Sequence, residues 1–253
     1  MFRTKNITLL IFACLSFFSM SATGAETLSQ ADSLYRAGSY GEAVSLYEKA
    51  LKQPEADAAI YYNLGNACFR TQQYAKAILC YERMLREYPG DADALFNLSL
   101  CQSKLSLKEQ PRSDFFFITW WNSFRDMHSV SELMAYAFVF LLLCLLAFAG
   151  YMFLHSLLWR KVCFGFSVAL LVVTLLLNVV AIQRAYIMSN TQWAIVMQDG
   201  TLLDNPVEKA KSVHKIHAGE KSVVLEVYQN NWLKIEMPDK HVGWVKKEQC
   251  SII

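Results

Sequence analysis

A multidomain fold, with α-helical hairpins, a two-helix transmembrane hairpin and a small all-β barrel in chain order, is predicted by three observations. The sequence overlays on itself at a fixed shift between positions 26 and 105. Two long runs in its middle part carry no charge, and residues 191–253 break into short apolar stretches separated by turn-forming residues. Of the 253 residues, 54% are hydrophobic, which exceeds the usual share in a soluble globular protein, so part of the surplus is expected to face lipid. The formal net charge of +2 is evenly spread: residues 26–109 hold 9 Lys/Arg against 11 Asp/Glu, and residues from Asn190 onward hold 8 against 8. Neither part forms a basic field, which argues against nucleic acid as a partner.

Residues 1–25 read as a signal peptide. Arg3 and Lys5 precede an apolar stretch from Ile7 to Phe18, and small residues follow where a peptidase would cut, after Ala25 or Gly24. The segment from Glu26 onward is then exported, whether or not the leader is removed.

In the overlay of residues 26–105, Tyr40 falls on Tyr74, Ala43 on Ala77, Tyr47 on Tyr81, Asn63 on Asn97 and Leu64 on Leu98. The shift is that of a helical-hairpin repeat with a period of about 34 residues. The best copy runs Tyr61, Leu64, Gly65, Cys68, then Tyr74, Ala77, Tyr81 and Pro89. Small residues at Gly65 and Ala77 allow two helices to approach, the large ones fill the space beside them, and Pro89 stops the second helix. Spacing and residue types resemble the tetratricopeptide repeat family. About 2.5 copies are present, because Ala31 and Glu55 replace the glycine and proline of the first copy and the third keeps only a helix around Leu95, Leu98 and Ser99. A repeat array buries its faces against neighbours, so this short stack is expected to lean on a partner, a second copy or the membrane. Asn63, Asn66, Arg70 and Asn97 are the candidate protein-binding residues of the repeat surface.

Residues 106–131 form a linker, with Pro111 in the polar stretch Lys108 to Asp114, followed by an aromatic segment. If this segment is helical, Phe117, Trp120, Trp121 and Phe124 share one face and suit the headgroup zone of a membrane. The competing reading is a hydrophobic cap under the last repeat helix. Ser129 and Glu132 then form a capping-box pattern ahead of transmembrane helix 1 (132–159), and transmembrane helix 2 covers 162–184. The basic pair Arg160 and Lys161 separates them and is expected to form a cytoplasmic turn. With an exported N-terminal part, two crossings return the C-terminal part to the same side, so both soluble regions are expected in the periplasm of a bacterial inner membrane. Thr174 and Asn178, four residues apart on one helix face, are expected to bond between the helices.

In residues 191–253 the candidate strands are Trp193 to Met197, Val213 to Ile216, Val223 to Tyr228, Trp232 to Met237 and Gly243 to Val245. The runs Ala218-Gly219-Glu220, Asn231-Trp232-Leu233-Lys234-Ile235 and Val242-Gly243-Trp244-Val245 resemble a bacterial SH3-like domain. A small barrel with Gly243 at a close backbone approach is the implied fold. Trp193, Tyr228, Trp232 and Trp244 are the candidate groove residues for a peptide or glycan.

Chemistry-bearing constellations are sparse. His214 and His217 lie three apart, which in a strand puts them on opposite faces, so no metal site is expected from them. Cys250 and His241 lack the helix-borne nucleophile and room of a thiol peptidase. No phosphate-binding glycine loop occurs. The cysteines show no CxxC spacing, and only a Cys68 to Cys80 bridge across a helical hairpin stays open. No enzyme activity and no cofactor are expected.

Leader, repeats, membrane hairpin and SH3-like tail in this order resemble the BatE family of Bacteroidetes aerotolerance operons. That resemblance implies a scaffold working with membrane proteins that carry von Willebrand factor A domains and with a MoxR-type ATPase. The alternative is a peptidoglycan-binding accessory or cell-wall hydrolase subunit.

Overall fold

The computed structural model describes residues 26–53, 57–107, 116–229 and 231–253. The expected leader, the Lys108 to Asp114 linker, Glu55 and Asn230 lie outside the described residues. The chain forms two compact units. One joins the N-terminal helices to the strands from Trp193 onward, and the other holds the central helices up to Gln192.

The first unit begins with α1 (26–36), α2 (Tyr40–Ala50), α3 (Ala59–Arg70), α4 (Tyr74–Glu87) and α5 (Ala92–Lys104). Small residues set how closely these helices pack. Ala31, Ala43, Ala67, Ala77 and Ala94 are fully buried, and a Cβ on Gly65 would stand 2.7 Å from the Tyr81 ring. Helix α4 stops at Glu87, just short of Pro89, as expected for a residue that cannot continue a helix. Asp91 caps α5 by accepting from the Ala94 N–H at 2.8 Å.

The strands are β1 (Gln192–Val196), β2 (Gly200–Leu203), β3 (Ser212–Ile216), β4 (Lys221–Tyr228), β5 (Trp232–Glu236), β6 (Val242–Lys246) and β7 (Cys250–Ile252). They make one antiparallel sheet in the order β3-β2-β6-β5-β4-β1-β7, with β3 and β7 at its edges. Five strands were legible in the residue pattern. The two others escaped it because β2 opens on the glycine of an Asp-Gly turn signal, and β7 is too short for alternation to show. Ala194, Val196, Leu202, Ile216, Leu233, Ile235, Met237, Val245 and Cys250 form the core of the sheet. At Gly243 the backbone passes so close to β2 that a Cβ would lie 2.7 Å from Leu202 Cβ and 3.0 Å from the Leu203 carbonyl.

The neighbour that the short repeat stack needs is this sheet. Ile195, between two residues that face the sheet core, is fully buried in the core of the repeats, where Met197 and Ile253 also pack. Burial of that one side chain contributes roughly 2–3 kcal/mol. Polar contacts accompany the apolar patch: Lys221 Nζ lies 2.6 Å from Glu82 Oε2, Arg83 donates to the Ile252 carbonyl at 2.6 Å and Arg86 to the Ile253 carbonyl at 2.8 Å. Gly219 takes a positive φ of 90° in the turn before β4, where a Cβ would meet Leu105 at 2.5 Å and Ile78 at 2.9 Å. Only glycine fits both demands.

The second unit contains α6 (Phe116–Met127), α7 (Val130–Phe153) and α8 (Leu157–Asn190). The Ser129 capping box is present, with the Glu132 N–H donating to Ser129 Oγ at 3.2 Å and Ser129 N–H to Glu132 Oε2 at 2.8 Å. Helices α7 and α8 are long and apolar enough to cross a membrane, and only 17% and 33% of their most apolar stretches are buried. A core helix of a soluble protein would be mostly covered. The connection falls at residues 154–156, not at Arg160 and Lys161, which sit in the first turns of α8. Ser156 takes an extended conformation as the N-cap, and this starts the helix ahead of the basic pair.

The two helices approach at Gly150, where a Cβ would meet Cys163 Sγ at 3.2 Å. Thr174 and Asn178 do not bond between the helices. Thr174 Oγ1 donates to the Leu170 carbonyl at 2.9 Å and Asn178 Nδ2 to the Thr174 carbonyl at 2.8 Å, the nearest acceptors to short polar side chains on an apolar helix. The thiol of Cys144 reaches across instead, 3.3 Å from the Ser167 carbonyl.

Candidate interaction surfaces

The repeat helices form two layers. Side-chain hydrogen bonds join α1 to α3 and α3 to α5 in one layer, and α2 and α4 stand behind them. Asp32 Oδ1 accepts from Tyr47 Oη at 2.6 Å and from Asn63 Nδ2 at 3.4 Å. Asn66 Oδ1 accepts from Tyr81 Oη at 2.7 Å and from Asn97 Nδ2 at 3.0 Å. Every member of the second node lies one repeat period beyond its counterpart in the first, so the period is written in hydrogen bonds as well as in packing. Burial and, for Tyr47, the hydrogen bond to Asp32 push both phenols well above the ordinary tyrosine range.

Of the candidate binding residues, Asn63, Asn66 and Asn97 thus have their amides engaged between helices. Arg70 is exposed, with its guanidinium 5.8 Å from the centre of the Tyr40 ring. Beside Asn97, Leu95 and Phe96 are exposed, Phe96 by 67%. Reasoning from the repeat pattern missed these two. Their signal was an apolar pair next to the small, core-facing Ala94, on a side of the helix that the repeat pattern leaves outward.

On the sheet, strand register puts Tyr228 beside Trp232, Lys234 beside Trp244, and Trp232 beside Lys246. These side chains share one face because positions two apart on a strand point the same way. Tyr228 and Trp244 meet edge to face at 5.9 Å, and Lys234 Nζ lies 5.7 Å from the Trp244 ring. Trp232 is nearly buried and helps line a cavity of about 590 Å³ together with Leu203, Ile216, Val245, Glu208 and Lys246. Glu208 and Lys246 are ion-paired there at 2.8 Å. Trp193 is elsewhere. It lies on β1, with Lys221 Nζ 4.9 Å from its ring, at the junction with the repeats.

In the second unit the four aromatic residues of α6 divide. Phe117 and Trp120 are exposed, whereas Trp121 and Phe124 pack against the Leu133, Val180 and Ala181 cluster, and Trp121 Nε1 donates to Gln183 Oε1 at 3.0 Å.

Cys68, Cys80, Cys101 and Cys250 are free and buried. Cys80 donates a hydrogen bond to Cys68, which keeps Cys80 protonated and lowers Cys68. Burial pushes Cys250 up to about 12, so it does not supply a thiolate. His214 and His217 do not meet: His217 faces Asp199 at 3.8 Å, while His214 joins Asp239 and His241.

A stack of helical hairpins with an open inner layer defines a protein-interaction module. In agreement, residues 28–102 match the tetratricopeptide repeat family, typically a non-enzymatic interaction scaffold. No curated protein matches the chain.

Proposed function

We propose that this chain is a membrane-anchored, non-enzymatic adaptor of the bacterial envelope. The observation that carries the reading is the division of the repeat surface. The chain's own sheet occupies the α4 side, while the α1/α3/α5 layer keeps Arg70 and Phe96 exposed for a partner segment. The sheet is read as an SH3-like domain, supported by its short strands, the close Gly243 approach and the contact of edge-strand His214 with the β5–β6 turn, which requires the sheet to curl. Helices α7 and α8 are read as the anchor, and the interaction unit as periplasmic. The resemblance to the BatE family supplies the setting: an aerotolerance or envelope-stress complex, with von Willebrand factor A domain membrane proteins and a MoxR-type ATPase system as partners.

The test is recovery of partners on the full chain from detergent-solubilised membranes, compared with Arg70→Glu and Phe96→Ala. Loss of specific partners in both variants supports the reading, and an unchanged set of partners refutes it. Deleting the repeats would be a poor test, because Ile195 would lose its cover. Labelling of cysteines introduced at residues 154–156 and on β3 decides sidedness, and an outward 154–156 turn would overturn the topology.

A second reading, peptidoglycan binding, is favoured by the Tyr228 and Trp244 face, with Trp232 nearly buried beside them, since accessible aromatic rings with an adjacent lysine suit a glycan strand or its peptides. It predicts co-sedimentation with purified sacculi that Trp244→Ala abolishes.

A further inference from the structure

His214 on β3 and the pair Asp239 and His241 in the β5–β6 turn bring three ligand-bearing side chains together. Their donor atoms all lie within 4.8 Å of one another, and among the described residues no other group of three His, Cys, Asp or Glu side chains does this. His214 Nε2 and His241 Nδ1 stand 3.1 and 2.9 Å from the same carboxylate oxygen, Asp239 Oδ2. The two imidazole rings lie nearly parallel, 15° apart with centres at 4.1 Å.

We propose that these three residues bind one divalent transition-metal ion of the zinc class. Two imidazole nitrogens and a carboxylate oxygen form a borderline donor set that suits Zn²⁺, Co²⁺ or Ni²⁺, whereas Ca²⁺ and Mg²⁺ take oxygen ligands. Tetrahedral zinc with bonds of about 2.0–2.1 Å separates its donors by roughly 3.4 Å. The spacings to Asp239 need open by only a few tenths of an ångström, but one imidazole must also turn out of the parallel stack to admit the ion, because each nitrogen lone pair lies in its own ring plane.

The surroundings hold the ligands in place. Asp239 Oδ1 accepts from the His241 backbone N–H at 3.2 Å, which turns Oδ2 toward both imidazoles. The turn is closed by Lys240 N–H to the Met237 carbonyl and Met237 N–H to the His241 carbonyl, both at 2.9 Å. Lys240 Nζ is drawn to Glu236 Oε1 at 2.8 Å, so that its charge is paired. The His241 side chain is 50% exposed, which leaves an open side for a water as fourth ligand. Because β3 is an edge strand, the ion would tie the free edge of the sheet to the β5–β6 turn.

The test uses the full chain in detergent, without a polyhistidine tag, stripped by EDTA and titrated with Zn²⁺ in competition with a chromophoric chelator. One Zn²⁺ per chain is expected, with affinity at least about tenfold weaker in each of His214→Ala, His241→Ala and Asp239→Asn, and unchanged in His217→Ala. Co²⁺ absorption gives an independent readout: visible d–d bands that the wild type shows and His241→Ala lacks. Absence of stoichiometric binding, or binding that survives His214→Ala and His241→Ala, overturns the proposal and leaves a hydrogen-bonded His–Asp–His clasp.

Discussion

The nodes at Asp32 and Asn66 differ in the charge of the acceptor, and this sets a testable order. Tyr47 donates to a carboxylate and Tyr81 to a neutral amide oxygen. Hydrogen bonds to charged acceptors contribute more, so Tyr47→Phe should cost about 1.5–3 kcal/mol and Tyr81→Phe about 0.5–1.5 kcal/mol, measured by urea denaturation. Both phenols are held protonated above the ordinary value near 10, so the unfolded chain loses these protons first. Their contribution is complete below about pH 10 and declines as pH rises above it. A urea midpoint that falls between about pH 9 and about pH 11, and falls less in the double Phe variant, is the expected outcome. Gly65→Ala should cost about 1–3 kcal/mol, because the new methyl meets the Tyr81 ring, whose hydroxyl is tied to Asn66 and cannot swing away.

At the scale of elements, β1 and β6 each satisfy two neighbours at once. Strand β6 pairs with β5 and touches β2 at Gly243, so Gly243→Ala presses on a backbone carbonyl and not on a flexible side-chain end. The expected loss is about 1–3 kcal/mol, with amide exchange accelerated more in β2 and β6 than in β4. The apolar run Trp193 to Met197 ahead of the Asp199-Gly200 turn made β1 legible as a strand, yet its residue types did not say that Ile195 would be covered by the repeats. A strand covered on both faces shows a continuous apolar run, and one this short cannot be told from chance. Helix α6 shows the same limit: its helical spacing put four aromatic residues on one face, and packing against α7 and α8 then covered Trp121 and Phe124 while Phe117 and Trp120 stayed exposed, Trp120 stacked on Phe124.

At the scale of the whole molecule, repeats and sheet share a core through Ile195, Met197 and Ile253, and should unfold in one transition. Calorimetry that resolved separate repeat and sheet transitions would contradict this. The ion pair between Glu82 and Lys221 crosses the same junction and is partly exposed. Its coupling energy is therefore expected to be about 1 kcal/mol or less. Glu82→Lys and Lys221→Glu should each lower the melting temperature, and the double reversal should recover most of the loss.

What the residue order determined by itself was whatever depends on local period and composition: the helical repeat, the capping box at Ser129, the two apolar helices and most of the strands. What only tertiary structure decided was which elements share a core and which side chains meet. The docking of the sheet on α4, the place of Trp193 apart from Tyr228 and Trp244, and the meeting of His214 with His241 in place of His217 all belong to this class. The reason is that a contact between residues far apart in the chain leaves no periodic trace in either segment, because burial and hydrogen bonding act on what lies nearby in space.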